Sequence, residues 1–218
     1  VMWGPGCGRG YYDWSDAYTT ALYPVEGDPD KKDERINKGK PKCSEQCVGD
    51  PINAGTGNKY DTIVEFETAD GGLRFDWTYN SLGLGPHSSS EDATVGRNRS
   101  HTYSRRVTLD LENGYQVMYL SRADGNEWRF DLAAGEWVSI VDSGIVHELV
   151  DNGTTIGWRY DSGNGDQEIY DAAGRLIELR GAQGRVVQLQ RDQNNRVSQA
   201  GDDRGRVIGF SYGLSGYL

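Results

Sequence analysis

From residue 113 onward, short groups of six or seven mostly strand-forming residues alternate with Gly or Asn at near-constant intervals. The turn signals are Asn113-Gly114, Asp124-Gly125, Ala134-Gly135, Ser143-Gly144, Asn152-Gly153, Gly163-Asn164-Gly165, Ala173-Gly174, Gln183-Gly184, Asn194-Asn195 and Arg204-Gly205, 9 to 11 residues apart. Gly and Asn supply the positive φ that tight hairpin turns demand. Six residues of strand span about 20 Å, and no ordinary helix fits between such turns. Upstream, Leu73 to Tyr79 alternates fully, which puts Leu73, Phe75, Trp77 and Tyr79 on one face. Ala69 to Gly72 separates it from Ile63–Glu67 and predicts a hairpin. The pattern predicts an all-β chain, an antiparallel meander of short strands.

The spacing carries a repeat. Gly174-Arg175-Leu176 recurs as Gly184-Arg185-Val186, Asn195-Arg196-Val197 and Gly205-Arg206-Val207. Alternate units pair at a period of about 21 residues, Arg175 with Arg196 and Arg185 with Arg206. The same period links Tyr170-Asp171, Arg191-Asp192 and Tyr212-Gly213. One unit is two strands and two turns, so equivalent residues lie roughly 10 Å apart across the sheet. Ile177/Leu179, Val187/Leu189 and Ile208/Phe210 are expected to line a continuous inner stripe, with Ser198/Ala200 its weaker member. A single unit cannot bury its apolar face alone, so more units are expected beyond Leu218.

Tyr170-Asp171-Ala172-Ala173-Gly174-Arg175 resembles the YD repeat of Rhs proteins. The stretch from Gly49 to Tyr60, with Gly49, Pro51, Asn53, Thr56, Gly57 and Asn58 as its marks, resembles the domain that precedes such repeats in bacterial polymorphic toxins. The resemblance covers roughly residues 49 to 218, with Arg191 for Tyr, Gly213 for Asp and Asn195 for Gly as departures. It implies a segment of a large hollow β-shell, secreted or on the bacterial surface, that encloses or delivers a C-terminal toxin or cargo or forms a cell-surface structure. It also implies that the partner is the rest of the same, longer chain, including that cargo. Self-association through exposed strand edges is a further expectation.

Composition adjusts this picture. Three zones emerge: an irregular segment 1–48 rich in aromatic and then charged residues, a pre-repeat domain 49–112, and the repeat-like sheet 113–218. The net charge of −10 opposes nucleic-acid binding, and no apolar run is long enough to span a bilayer. Cys43 and Cys47 can close a small disulfide loop, or Cys7 can bridge to one of them; a metal site lacks a nearby His and the C-x2-C spacing.

Other chemistry is weakly signalled, and neither a catalytic group nor a cofactor is expected. His87, His101 and His147 are far apart in sequence. Glu65/Glu67 and Asp202/Asp203 resemble glycosidase pairs but suit solvent-facing charges. Gly55-Thr56-Gly57 lacks phosphate-loop spacing, and the acidic loop Asp161 to Glu168 lacks EF-hand register. Tyr11, Tyr12, Trp14, Trp77, Tyr79, Trp128, Trp137 and Trp158 form either core and cross-strand pairs or a sugar-stacking platform. The latter defines the competing reading, a carbohydrate- or partner-binding surface module.

Overall fold

The computed structural model describes residue 52, residues 57–139 and residues 141–218. Cys7, Cys43, Cys47, Gly49, Pro51, Asn53, Gly55, Thr56, Tyr11, Tyr12 and Trp14 lie outside the described residues. The described chain is all-β. A three-stranded sheet holds β1 (Tyr60–Glu67), β2 (Arg74–Asn80) and β3 (Arg99–His101). An eleven-stranded sheet runs in sequence order through β4 (Arg106–Glu112), β5 (Tyr115–Ser121), β6 (Glu127–Ala133), β7 (Glu136–Val138), β8 (Ile145–Asp151), β9 (Thr154–Asp161), β10 (Gln167–Asp171), β11 (Leu176–Arg180), β12 (Val186–Arg191), β13 (Val197–Asp202) and β14 (Val207–Gly209). Every neighbouring pair in it is antiparallel, so the expected meander is present and is not closed into a barrel.

The turns are of two kinds. At Asn113-Gly114, Ala134-Gly135 and Asn152-Gly153 both residues have positive φ, the two-residue form whose twist matches the strands. From Gly165 on, one left-handed residue closes each turn: Gly165, Gly174, Gly184, Asn195 and Gly205. Ser143-Gly144 differs. Gly144 is not left-handed; a Cβ there would lie 2.3 Å from the Tyr160 ring, so this glycine makes room for a side chain.

The inner stripe differs from its expectation. Glu168 pairs with Leu179 and Ile169 with Glu178, but Tyr170 pairs with Leu176, so Ile177 is an extra, bulged residue. Ser198 is bulged in the same way between Gln199 and Val197, and Ile156 between Gly157 and Thr155. A bulge turns the following residues to the opposite face. Leu176 and Val197 are therefore buried, whereas Ile177 is 39% exposed. Val187 and Ala200 are buried, and Leu179, Leu189, Ile208 and Phe210 pack partly buried against the core, as the alternation predicts. Ile156, Ile177 and Ser198 lie one repeat period apart, which explains the odd length of the repeat: two strands, two turns and one bulge.

Two cores result. Val107, Met118, Leu120, Phe130, Trp137, Val146, Trp158, Tyr160, Tyr170 and Leu176 form the first, inside the curl of the long sheet. The second lies between the small sheet and the later strands, with Leu73 and Tyr103 against Val187, Val197 and Ala200. The single face expected for β2 is split: Leu73 and Phe75 belong to this core, whereas Trp77 lies under the Arg99 guanidinium at 4.5 Å. The opposite face of β2 is also covered, with Thr78 and Asn80 buried.

The curl brings β4 back to the turn after β10. Arg106 bridges Arg175, and the Val107 N–H donates to the Gly174 carbonyl at 2.9 Å. A Cβ on Gly174 would lie 1.9 Å from the Val107 carbonyl, and its φ is +75°. Gly184 shares the conformation, φ +81°, with open space around it. Replacing a left-handed glycine costs about 1 kcal/mol in strain alone. In urea unfolding, Gly184→Ala should lose about 1 kcal/mol and Gly174→Ala at least about 3, because the second must also break the β4 contact. Equal losses would mean that the contact contributes nothing.

Candidate functional site

The repeat signature builds a clamp in each turn. In the turn from Asp171 to Arg175, Asp171 N–H donates to the Arg175 carbonyl and Gly174 N–H to the Asp171 carbonyl, both at 2.9 Å. Asp171 Oδ1 accepts from the N–H groups of Ala173 and Arg175, and Oδ2 from Arg175 Nε, each at 2.9 Å. The same set recurs at Asp192 with Asn194 and Arg196, and at Asp202 with Arg204 and Arg206. The motif is therefore Asp-x-x-Gly/Asn-Arg, a carboxylate that satisfies two backbone donors and fixes the Arg beside it. Burial works to raise the carboxyl pKa of Asp192 and Asp202, but the Arg and backbone donors outweigh it and hold both below the usual range.

The sequence alone groups Asp202 with solvent-facing charges. Its carboxylate is instead the clamp of its turn, with a side chain 2% exposed, and the spacing shared with Asp171 and Asp192 is the signal that identifies it. Gly181 lacks the carboxylate. Its turn keeps the same backbone bonds, at 2.8 Å, and Asp166 from the neighbouring turn accepts the Ala182 N–H instead. Arg185 therefore has no carboxylate clamp within its own turn.

Arg206 carries a second load. It donates to both oxygens of Asp70, in the turn between β1 and β2, at 3.0 Å each, and its hydrogen bonds draw the Asp70 pKa well down. This pair ties the small sheet to the turn after β13.

The aromatic position of the repeat is also used three ways. Tyr170 is buried and its hydroxyl donates to Glu168. One period on, Arg191 donates to the Leu176 carbonyl at 3.2 Å and to Asp92 Oδ1 at 3.1 Å. One period further, the Tyr212 hydroxyl donates to the Val197 carbonyl. Leu176 and Val197 are themselves equivalent positions of successive units, so Arg191 serves the carbonyl that Tyr serves in the next unit.

Glu168 is the centre of a buried ion cluster. Arg122 meets it with two bonds, 2.6 and 2.7 Å, Arg105 adds a third, and Tyr170 a fourth. Arg122 lies over the Trp128 ring at 4.3 Å. Burial alone would raise the Glu168 pKa, but Arg122 and then Arg105 hold it at about 2. The cluster joins the segment after β3, the turn after β5, and β10.

The pre-repeat motif supplies a different anchor. Gly57 is left-handed, φ +74°, and Asn58 is fully buried. Asn58 Nδ2 donates to Asn80 Oδ1 at 2.8 Å, and its side-chain carbonyl accepts from Leu82 N–H at 3.2 Å. Asn80 in turn donates to the Asp124 carbonyl at 2.8 Å, on the long sheet.

The remaining candidates are scattered. His87 lies between Glu127 and Asp110, His101 is buried in β3, and His147 pairs with Asp161. Glu65 accepts from Trp77 Nε1 at 2.8 Å, and Glu67 lies 3.6 Å from Arg74. The acidic loop is a hairpin turn closed between Ser162 and Asp166, with Glu168 turned inward to the ion cluster. Among the described residues no three His, Cys, Asp or Glu side chains are grouped to hold a metal. Trp137 and Trp158 are core residues, and Trp128 packs against them.

Residues 170–213 match the family model described as RHS Repeat, and residues 49–130 match a domain of unknown function, DUF6531. The second match extends beyond the sequence-based boundary at 112, into β6. No curated protein matches the chain. A meander of clamped hairpins with one bulge per unit defines a β-repeat protein. The RHS repeat with the DUF6531 domain before it is the order of an Rhs/YD-repeat protein, and the repeat match supports a structural role.

Removing the Asp171 carboxylate orphans two backbone donors and an Arg, so Asp171→Ala should cost about 1–2 kcal/mol by denaturant titration. Glu168→Gln should cost about 3–5 kcal/mol, since the partly buried Arg105 and Arg122 lose the charge of the buried carboxylate between them. The Glu168 pKa falls from 4.5 to about 2 on folding, so this stability is present above pH 4.5 and is lost as pH falls towards 2. His101 is held neutral, its pKa lowered from 6.5 to about 3 by burial and then by Arg191. Its contribution is complete above pH 6.5 and declines as pH falls towards 3. Urea unfolding compared at pH 7 and 5 should show a loss of about 2 kcal/mol that is reduced in His101→Asn. An identical slope in the variant would assign the loss elsewhere.

Proposed function

We propose that this chain is a non-catalytic wall segment of an exported Rhs-like shell that encloses or delivers a C-terminal toxin or other cargo. The observation that carries this reading is the unbroken meander. Each strand of the long sheet pairs only with its sequence neighbours, and β14 presents a strand edge along Val207–Gly209. The work of such a wall is steric: paired strands hide backbone groups and separate the contents from the surroundings. The partner is then the remainder of the same chain, and the place of action is outside the cell or on its surface.

Structural use also accounts for the charged residues. Glu168, Asp171, Asp192 and Asp202 are each spent on internal Arg and backbone donors. The Trp side chains of the long sheet lie in or against its core rather than on an outer platform.

The test uses the full parent protein. Its reading frame should continue beyond Leu218 with further units of the same period. Its C-terminal segment should resist added protease until the shell is opened by urea, whereas the same segment expressed alone is cut at once. Equal cleavage rates in the two forms, or a parent without further units, would sink the reading.

A further inference from the structure

We propose that one water molecule is bound between the 84–93 segment and the end of β5, with Ser121 as its anchor. Ser121 is 5% exposed, and among the described residues its Oγ has no hydrogen-bond partner. An unsatisfied buried hydroxyl costs about as much as a lost hydrogen bond, so it needs an explanation. Ser121 lines a cavity of about 10 Å³ together with Ser88, Ser89, Ser100 and Ser104. That volume is close to the minimum for a single water, which also requires two to four polar partners.

The partners are present. Ser100 Oγ donates to the Ala123 carbonyl at 2.8 Å and keeps both lone pairs. Ser104 Oγ donates to the Asp92 carbonyl at 2.6 Å, accepts the His101 N–H at 3.0 Å, and keeps one. A water can therefore accept the Ser121 proton and donate to both serines.

The neighbouring charges do not favour an ion. Asp92 gives one oxygen to Arg106 and the other to Arg191, at 2.7 and 3.1 Å. Arg122 is held by Glu168, and Arg106 also by Glu91. With these charges already matched, the cavity offers only neutral hydroxyl chemistry, in a space too small for a hydrated ion. The water would tie the covering segment to the long sheet at the level where Ser100 already meets Ala123.

Crystals diffracting to about 2 Å or better should show a peak within about 2.7–3.2 Å of Ser121 Oγ and of a second serine oxygen. Ser121→Ala should lower the melting temperature, because the water loses a partner. If the hydroxyl is merely unsatisfied, the same substitution removes a buried polar group at no loss and raises it. A cavity without a peak, or a melting temperature that stays or rises in Ser121→Ala, overturns the proposal.

Discussion

One extra residue per hairpin pair sets the order of this structure. Side chains in a strand alternate faces with a period of two, so a repeat with an even number of strand residues and identical turns would need no correction. The repeat here is odd in length, and the bulges at Ile156, Ile177 and Ser198 absorb the odd residue. Each bulge lets the residue after the Arg, Leu176 or Val197, face the core while the strand beyond it also returns its apolar side inward. The Asp clamps then fix the turn that delivers the chain to that register. Without the bulge, every second strand would present its apolar residues to solvent.

Curling is the second constraint. A meander pairs only sequence neighbours, so its inner face must be buried by the sheet bending on itself or by another layer. Both solutions are used here. The earlier strands bend until β4 touches Gly174, and the later ones are covered by the small sheet. Glu168 lies where the two regimes meet. Its equivalents in the next two units are Leu189 and Phe210, which pack against the second core. An apolar residue tolerates small slips along its neighbours. A carboxylate with two guanidinium partners does not, so this position fixes β10 relative to Arg105 and Arg122.

The parts of the fold that were legible in the sequence depend on one-residue requirements. Gly and Asn mark turns because they occupy left-handed backbone, and the hairpins from β4 onward follow that punctuation, except at Gly144, whose smallness serves Tyr160 instead. The bulges were not legible, because Ile177 and Ser198 share no side-chain property that marks an extra residue. The stripe drawn through Ile177 was wrong for that reason. The ion cluster was hidden differently: Arg105 and Arg122 are separated from Glu168 by 63 and 46 positions of chain, and nothing local announces their meeting. Asp202 was readable as a third clamp, but its acidic neighbour Asp203 made the pair look like surface charge.

The departures from the repeat consensus show what the consensus is for. If the Tyr of the motif were only a bulky core residue, Arg191 would be a defect. Instead its guanidinium reaches the Leu176 carbonyl, the equivalent of the carbonyl that the Tyr212 hydroxyl reaches at Val197. It then uses its second arm on Asp92, in the segment that covers the sheet. Arg191 and Tyr212 thus share one task, a donor aimed at the carbonyl of the residue just before the bulge, which a guanidinium or a phenol can supply, whereas Tyr170 gives its proton to Glu168. The turn at Gly181 keeps the backbone bonds of the other turns without a carboxylate of its own, and Asp166 from next door accepts a different donor there, the Ala182 N–H. What recurs from unit to unit is therefore a set of backbone groups that must be satisfied, and residue identity drifts wherever a neighbour or a covering segment can satisfy them by another route.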